Sequence, residues 1–239
     1  MLFSSDDVAK FINDSFEPVW ESVRPVPIVR IDFGNGEVIT RTLHGNIATY
    51  VCNSEGRVLD ILPGIYQPQG YVDALQQLLL LHRWAGWRGG AMLEAKLKEY
   101  HQRQADALKA KRDPDQFVSR LDETKYSIES SIKLIAAGAK EEKGRTMPVA
   151  APKVKPPSDR TAADIANWPI LAEDTAINET VRRQQIHEKL AAAGAVKPGD
   201  IVKWLYKDVL HADLDDRYLG LGKTLFADYP FAAEESRSR

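Results

Sequence analysis

The 239-residue chain reads as a mixed α/β (α+β) protein, followed after residue 160 by a mostly α-helical region. Three observations predict this. Two β-rich runs each double back at a turn rich in Asn and Gly. Segments with helical apolar spacing flank them. A stretch rich in Lys and Pro then separates them from a C-terminal part with helical periodicity.

At the start, Ser4 or Ser5 is a suitable N-cap, and Asp6 and Asp7 place negative charge in the first helical turn. Val8, Phe11, Ile12 and Phe16 recur at helical spacing, and Pro18 ends that helix. Residues 19–23 are short and apolar, include Trp20, and read as a strand broken by Pro25 and Pro27. Residues 28–33 alternate, meet Gly34-Asn35-Gly36, and are followed by residues 38–43. An Asn-Gly pair between two such runs is a hairpin signal. A second hairpin spans residues 47–62 around Asn53-Ser54-Glu55-Gly56, and Pro63-Gly64 stops it.

Pro68 then sits near the start of a helix with Val72, Leu75, Leu79 and His82 on one side. Gly86, Gly89 and Gly90 form a break. Residues 91–111 read as a charged helix whose apolar positions are Met92, Leu93, Leu97 and Leu108. Asp113-Pro114 starts another element, and Ile128, Ile132 and Ile135 suggest a further helix ending at Gly138. Residues 140–158, with Pro148, Pro152, Pro156 and Pro157, read as a flexible or polyproline-like linker. Beyond it, residues 175–193 form a helix that Gly194 ends. Pro198 opens another, carrying Ile201, Leu205, Val209 and Leu210. An acidic loop, 213–222, and an apolar patch precede a frayed tail, 234–239. The implied organisation is a domain over 1–88, a helical region over 89–139, a linker over 140–160 and a small helical module over 161–239.

Composition narrows the function classes. A net charge of −2 gives no electrostatic footprint for nucleic acid or an anionic membrane. No apolar run approaches the ~20 residues that span a bilayer. The N-terminus has neither a basic region nor an apolar core of a signal peptide, so a cytoplasmic location is expected. With Cys52 alone, neither an internal disulfide nor a Cys-based zinc site can form. The chain carries no P-loop, Gly-x-Gly-x-x-Gly, Gly-x-Ser-x-Gly or His-Glu-x-x-His, and no cofactor is expected.

The stretch from Asp6 to Trp84 resembles the later part of a thioredoxin-like domain. Asp7-Val8-Ala9 through Phe16-Glu17-Pro18-Val19 looks like the helix after the redox motif. Residues 48–59, with the Gly56-Arg57-Val58 turn, are similar to the final hairpin, and the helix from Gln69 resembles the closing helix. The resemblance covers about a third of the chain and implies a domain with three features missing. No Cys-x-x-Cys stands at the helix near Ser5. Ile47 or Ala48 occupies the place of the family's cis-proline. Met1 leaves no room for its first βα unit, whose strand is central in the sheet. The hairpin 28–43, another chain, or a segment upstream would have to complete that sheet.

Several residues are candidate sites. Cys52 is either a buried structural thiol or a reactive one. His211, Asp213, Asp215 and Asp216 could form an oxygen-rich metal loop, but without EF-hand spacing, and a solvated acidic turn explains them equally. Residues 182–210 fit a helix-turn-helix or a plain helical hairpin. Trp84, Trp87, Leu225, Phe226, Tyr229 and Phe231 are candidate interaction residues. The first functional expectation is a redox-inactive thioredoxin-like protein that binds another protein or its own copy by strand addition. The alternatives are a thiol-disulfide oxidoreductase whose Cys-x-x-Cys half lies outside this chain, and a C-terminal helical module that binds nucleic acid.

Overall fold

The computed structural model describes residues 5–42, 47–85, 90–120, 131–135, 153 and 162–221. It confirms a mixture of helices and small antiparallel sheets. The elements are α1 (Asp6–Ser15), β1 (Ile28–Asp32), β2 (Val38–Thr42), β3 (Ala48–Cys52), β4 (Val58–Pro63), α2 (Pro68–Ala85), α3 (Ala91–Lys109), β5 (Gln116–Arg120), β6 (Ser131–Ile135), α4 (Ala162–Ile177), α5 (Arg183–Ala193) and α6 (Pro198–Trp204). One π-helical turn, Asn178–Arg182, joins α4 to α5, and another, Leu205–Val209, continues α6. Among the described residues the strands form three separate two-stranded sheets, β1–β2, β3–β4 and β5–β6, so the hairpin 28–43, one of three candidates to complete a larger sheet, pairs there only with itself.

The chain divides into two compact units that are discontinuous in sequence. One comprises Met1–Val19 with Ile47–Asp200, the other Trp20–Asn46 with Ile201–Arg239.

The first unit holds the larger core. Val8 of α1, Leu59 and Leu62 of β4, Val72, Leu75, Leu78 and Leu81 of α2, Leu93 and Leu97 of α3, Phe117 and Leu134 form one buried cluster. The α2 face is wider than its sequence spacing suggests. Leu78, Leu80 and Leu81 are buried while Leu79 and His82 are only partly so, because α2 is packed by α1, α3, β4, β5 and β6. Strand β4 is buried along its whole length.

Two elements differ from the sequence expectation. No strand forms over residues 19–23; that stretch is irregular and Trp20 is 82% exposed. Pro18, Pro25 and Pro27 bracket it and cannot donate to a ladder. Residues 131–135 form β6, paired with β5 through Phe117 opposite Leu134, rather than part of a helix. A four-residue interval such as Ile128 to Ile132 is an even number, so it keeps one face of a strand as well as one face of a helix. Residue 128 and the end at Gly138 lie outside the described residues, as do the expected linker 140–158, apart from Lys153, and the tail. The C-terminal helix starts at Ala162, earlier than expected, and carries Pro169 inside it. Gly194 ends α5 with a φ of 73°, as a helix C-terminus favours.

The long helix is strapped to β4 and the loop after it. Thr175 Oγ1 accepts from the Gln67 amide at 3.0 Å, and Asn178 Nδ2 donates to the Ile65 carbonyl at 2.8 Å. Past the C-terminus of α5, the Val58 amide donates to the Val196 carbonyl at 2.8 Å. Gly64 has a φ of 73°, and a Cβ there would stand 2.8 Å from Asn178 Nδ2. Gly64→Ala is thus expected to lose about 1–3 kcal/mol, from the left-handed backbone and the contact with Asn178 together. Urea unfolding measures it; an unchanged midpoint would show that Asn178 moves freely.

In the second unit, Ile201, Leu205, Val209, Leu210 and Leu219 are buried. Arg24 donates to the carbonyls of Leu214 at 3.0 Å, of Arg217 at 2.9 Å and of Asp216. In β1–β2, Ile31 lies opposite Ile39, and the Phe33 amide donates to the Glu37 carbonyl across the turn. Among the described residues, no helix is long and apolar enough to cross a membrane.

Candidate functional site: a buried ion network and an exposed hairpin

Strand β4 reads Val58-Leu59-Asp60-Ile61-Leu62, and Asp60 is fully buried. A carboxylate inside an apolar strand needs partners, because removing an unpaired charge from water costs several kcal/mol. Helices α3 and α5, which pack on each other, provide them. The π turn ends at Arg182, and Arg183 begins α5 facing β4. Arg183 Nη1 donates to Asp60 Oδ1 at 2.6 Å and to the Ile61 carbonyl at 2.8 Å, while Nη2 donates to Asp60 Oδ2 at 2.7 Å. Tyr100 of α3 donates its hydroxyl to Oδ2 at 3.1 Å, and the Ile61 amide donates to Oδ1 at 2.7 Å. Burial pushes the Asp60 carboxyl upward, but Arg183 and, less strongly, His187 and His101 outweigh it and hold Asp60 well below the usual carboxylate range.

Behind this pair lie two buried histidines. His101 and His187 meet through Nδ1 atoms at 2.9 Å, and Tyr100 packs edge-on against both rings. With both rings neutral, one Nδ1 of the pair donates and the other accepts, and the tautomer decides which. Burial holds His101 down to about 4, and Arg183 also lowers it, against the pull of Asp60 and Leu59. Burial, then Arg183, holds His187 well below its ordinary range too.

Asp60, His101 and His187 bring potential ligand atoms within 4.8 Å of one another, and they are the one such group among the described residues. The donor chemistry does not favour a metal. Both oxygens of Asp60 already accept from Arg183 and from Tyr100 or Ile61, and the guanidinium beside them repels a second cation. The two histidines already engage each other through their Nδ1 atoms. The arrangement neutralises a buried charge and ties β4, α3 and α5 together.

Sequence reasoning missed this network. Its signals were present but weak: an aspartate within a continuous apolar run, and Arg183, His187 and Leu190 at helical spacing on one face of α5. The first was absorbed into a hairpin strand, and the second into a helical hairpin.

The residues singled out from sequence are not brought together. Cys52 sits half-buried at the end of β3, and burial pushes its thiol up, opposite to what a reactive thiolate needs. Asp213 pairs with Lys207 at 2.7 Å and Asp215 with Lys203 at 2.9 Å, while Asp216 accepts the Tyr218 and Gly220 amides. His211 is exposed, with a φ of 54°. These contacts make the acidic loop a tied turn. Trp84 is partly buried on the core, 5.6 Å from Phe117 and beneath Lys96. That placement is packing rather than an interaction surface. Trp87, Leu225, Phe226, Tyr229 and Phe231 lie outside the described residues.

Exposed apolar side chains occur in both units, among them Val19, Met92, Ile170 and Val181 in the first, and four cluster on one hairpin of the second. Ile28, Ile31, Phe33 and Val38, all on or beside β1–β2, are exposed, with Ile31 at 47% and Phe33 at 54%. No family model, no curated protein and no solved structure matches this chain.

Proposed function

We propose that this chain is a redox-inactive protein-binding module whose binding element is the β1–β2 hairpin. One observation carries the reading: a two-stranded ribbon that keeps Ile28, Ile31, Phe33 and Val38 in water. Two strands are marginal in water without a third strand or a covering layer. An open strand edge is also a template for strand addition. Burial pushes the Cys52 thiol up, which disfavours Cys52 itself as a reactive thiol. The thioredoxin-like reading of the first part rests on the order of α1, β3–β4 and α2, and binding through β1–β2 does not depend on it.

A photo-crosslinking side chain at Phe33, compared with one at exposed Lys98 of α3, tests the reading in the cells that make the protein. Protein adducts should form several-fold more often from Phe33. Equal yields at the two positions would remove the hairpin as the binding element.

A further inference from the structure

We infer that the partner strand is a second copy of this chain, added antiparallel to β1 about a twofold axis at Ile31. The inference rests on the reading of β1–β2 as the binding element and names its occupant.

The hydrogen-bond phase of the hairpin defines which groups are available. The Phe33 amide points inward to the Glu37 carbonyl, so Ile31 and Val29, two and four residues away, also point inward to Ile39 and Arg41. Ile28, Arg30 and Asp32 therefore direct their amides and carbonyls away from β2. Among the described residues no strand pairs with that edge.

The edge is complementary to itself. In an antiparallel pairing centred on Ile31, Arg30 of one copy stands opposite Asp32 of the other. The twofold axis repeats the pair, so two opposite-charge pairs form and no like charges meet. These are the positions whose backbone groups face outward, so they become the hydrogen-bonded pairs of the new ladder. Ile31 then meets its own symmetry mate in a close non-hydrogen-bonded pair, and Val29 meets Phe33.

Exposure follows the same pattern. Val29, Ile31 and Phe33 share one face of the ribbon with Ile39. Val29 and Ile39 are already partly buried, whereas Ile31 and Phe33 remain exposed. On this face the two exposed side chains are those that the twofold pairing would cover, while Ile28 and Val38 lie on the opposite face. The ribbon becomes a four-stranded sheet, above the three strands with an apolar face that independent stability needs.

Sedimentation equilibrium on the full chain reads the result. The wild type should form a dimer. Arg30→Asp places like charges opposite each other at both symmetric positions and should weaken dimerisation about tenfold or more. The double variant Arg30→Asp/Asp32→Arg restores opposite charges in this register alone, and should recover the wild-type constant to within about threefold. Coincident thermal unfolding of the three proteins, at concentrations where each is monomeric, would show that the hairpin and its fold persist. A wild type that stays monomeric up to about 100 μM, or a double variant no better than Arg30→Asp, overturns the pairing. The Phe33 crosslinks separate the two readings. Adducts to other proteins from a monomeric chain remove the self-pairing and leave the binding element standing, whereas no excess adducts remove both.

Discussion

Arg183→Met is expected to destabilise the first unit by about 3–5 kcal/mol, because it leaves Asp60 buried without its cation. Asp60 has no exposed surface, and Arg183 supplies two of its donors. Tyr100 and the Ile61 amide remain, but neither carries charge. The Ile61 carbonyl also loses a donor. Arg183→Lys should recover only part of the loss, since an ammonium cannot match the planar fork that spans both carboxylate oxygens. Pairing Arg183→Met with Asp60→Leu should cost far less than the two single changes summed, because the uncompensated charge is then gone. Urea unfolding of the four proteins gives the comparison. A loss under about 1 kcal/mol for Arg183→Met would mean that the ion pair is not what holds α5 on β4.

Acid should loosen the same unit in a window set by the histidines. Burial keeps His101 near about 4, below its ordinary 6.5, so the folded chain resists a proton that the unfolded chain accepts. The stabilisation is complete above about pH 6.5 and is lost as pH falls from there through about 4. His101 alone accounts for roughly 3 kcal/mol over that range, about 2 of it before pH 5. His187, also held low by burial and by Arg183, acts in the same direction. Asp60 is held low as well, so its contribution is lost as pH falls through the ordinary carboxylate range and further into acid, below the histidine window. Urea midpoints measured from pH 7.5 to 5 isolate the histidines, because most carboxylates do not titrate there. A flat profile over that interval would show that the histidine pair takes up protons without strain.

Much of the local structure was legible in the sequence. The turn residues at 34–36 and 53–56 located both early hairpins, since Gly34, Gly36 and Gly56 take the positive φ that such turns need and Asn35 and Asn53 accept turn amides at Oδ1. Pro68, Gly194 and Pro198 marked helix ends for similar local reasons. The errors arose where a pattern fitted two periods or needed a partner. The interval from Ile128 to Ile132 suited helix and strand alike, the three-residue step to Ile135 suited only a helix, and pairing with β5 nevertheless made a strand. Residues 19–23 had strand composition but nothing to pair with.

The exposed hairpin that carries the functional proposal was therefore visible in outline from the sequence: two alternating runs, an Asn-Gly turn, and Arg30 and Asp32 on the same strand. Its exposure was not visible, because alternation does not say whether anything covers either face. The Asp60 network left only weak signals in the sequence. Its members stand at positions 60, 100, 101, 183 and 187 and meet only because α3 and α5 pack against β4. Local composition determines where this chain turns and where it coils. Whether a buried aspartate has a cation, and whether a histidine is kept neutral, depends on charges brought within a few ångströms by tertiary packing, where the loss of water makes each of them count.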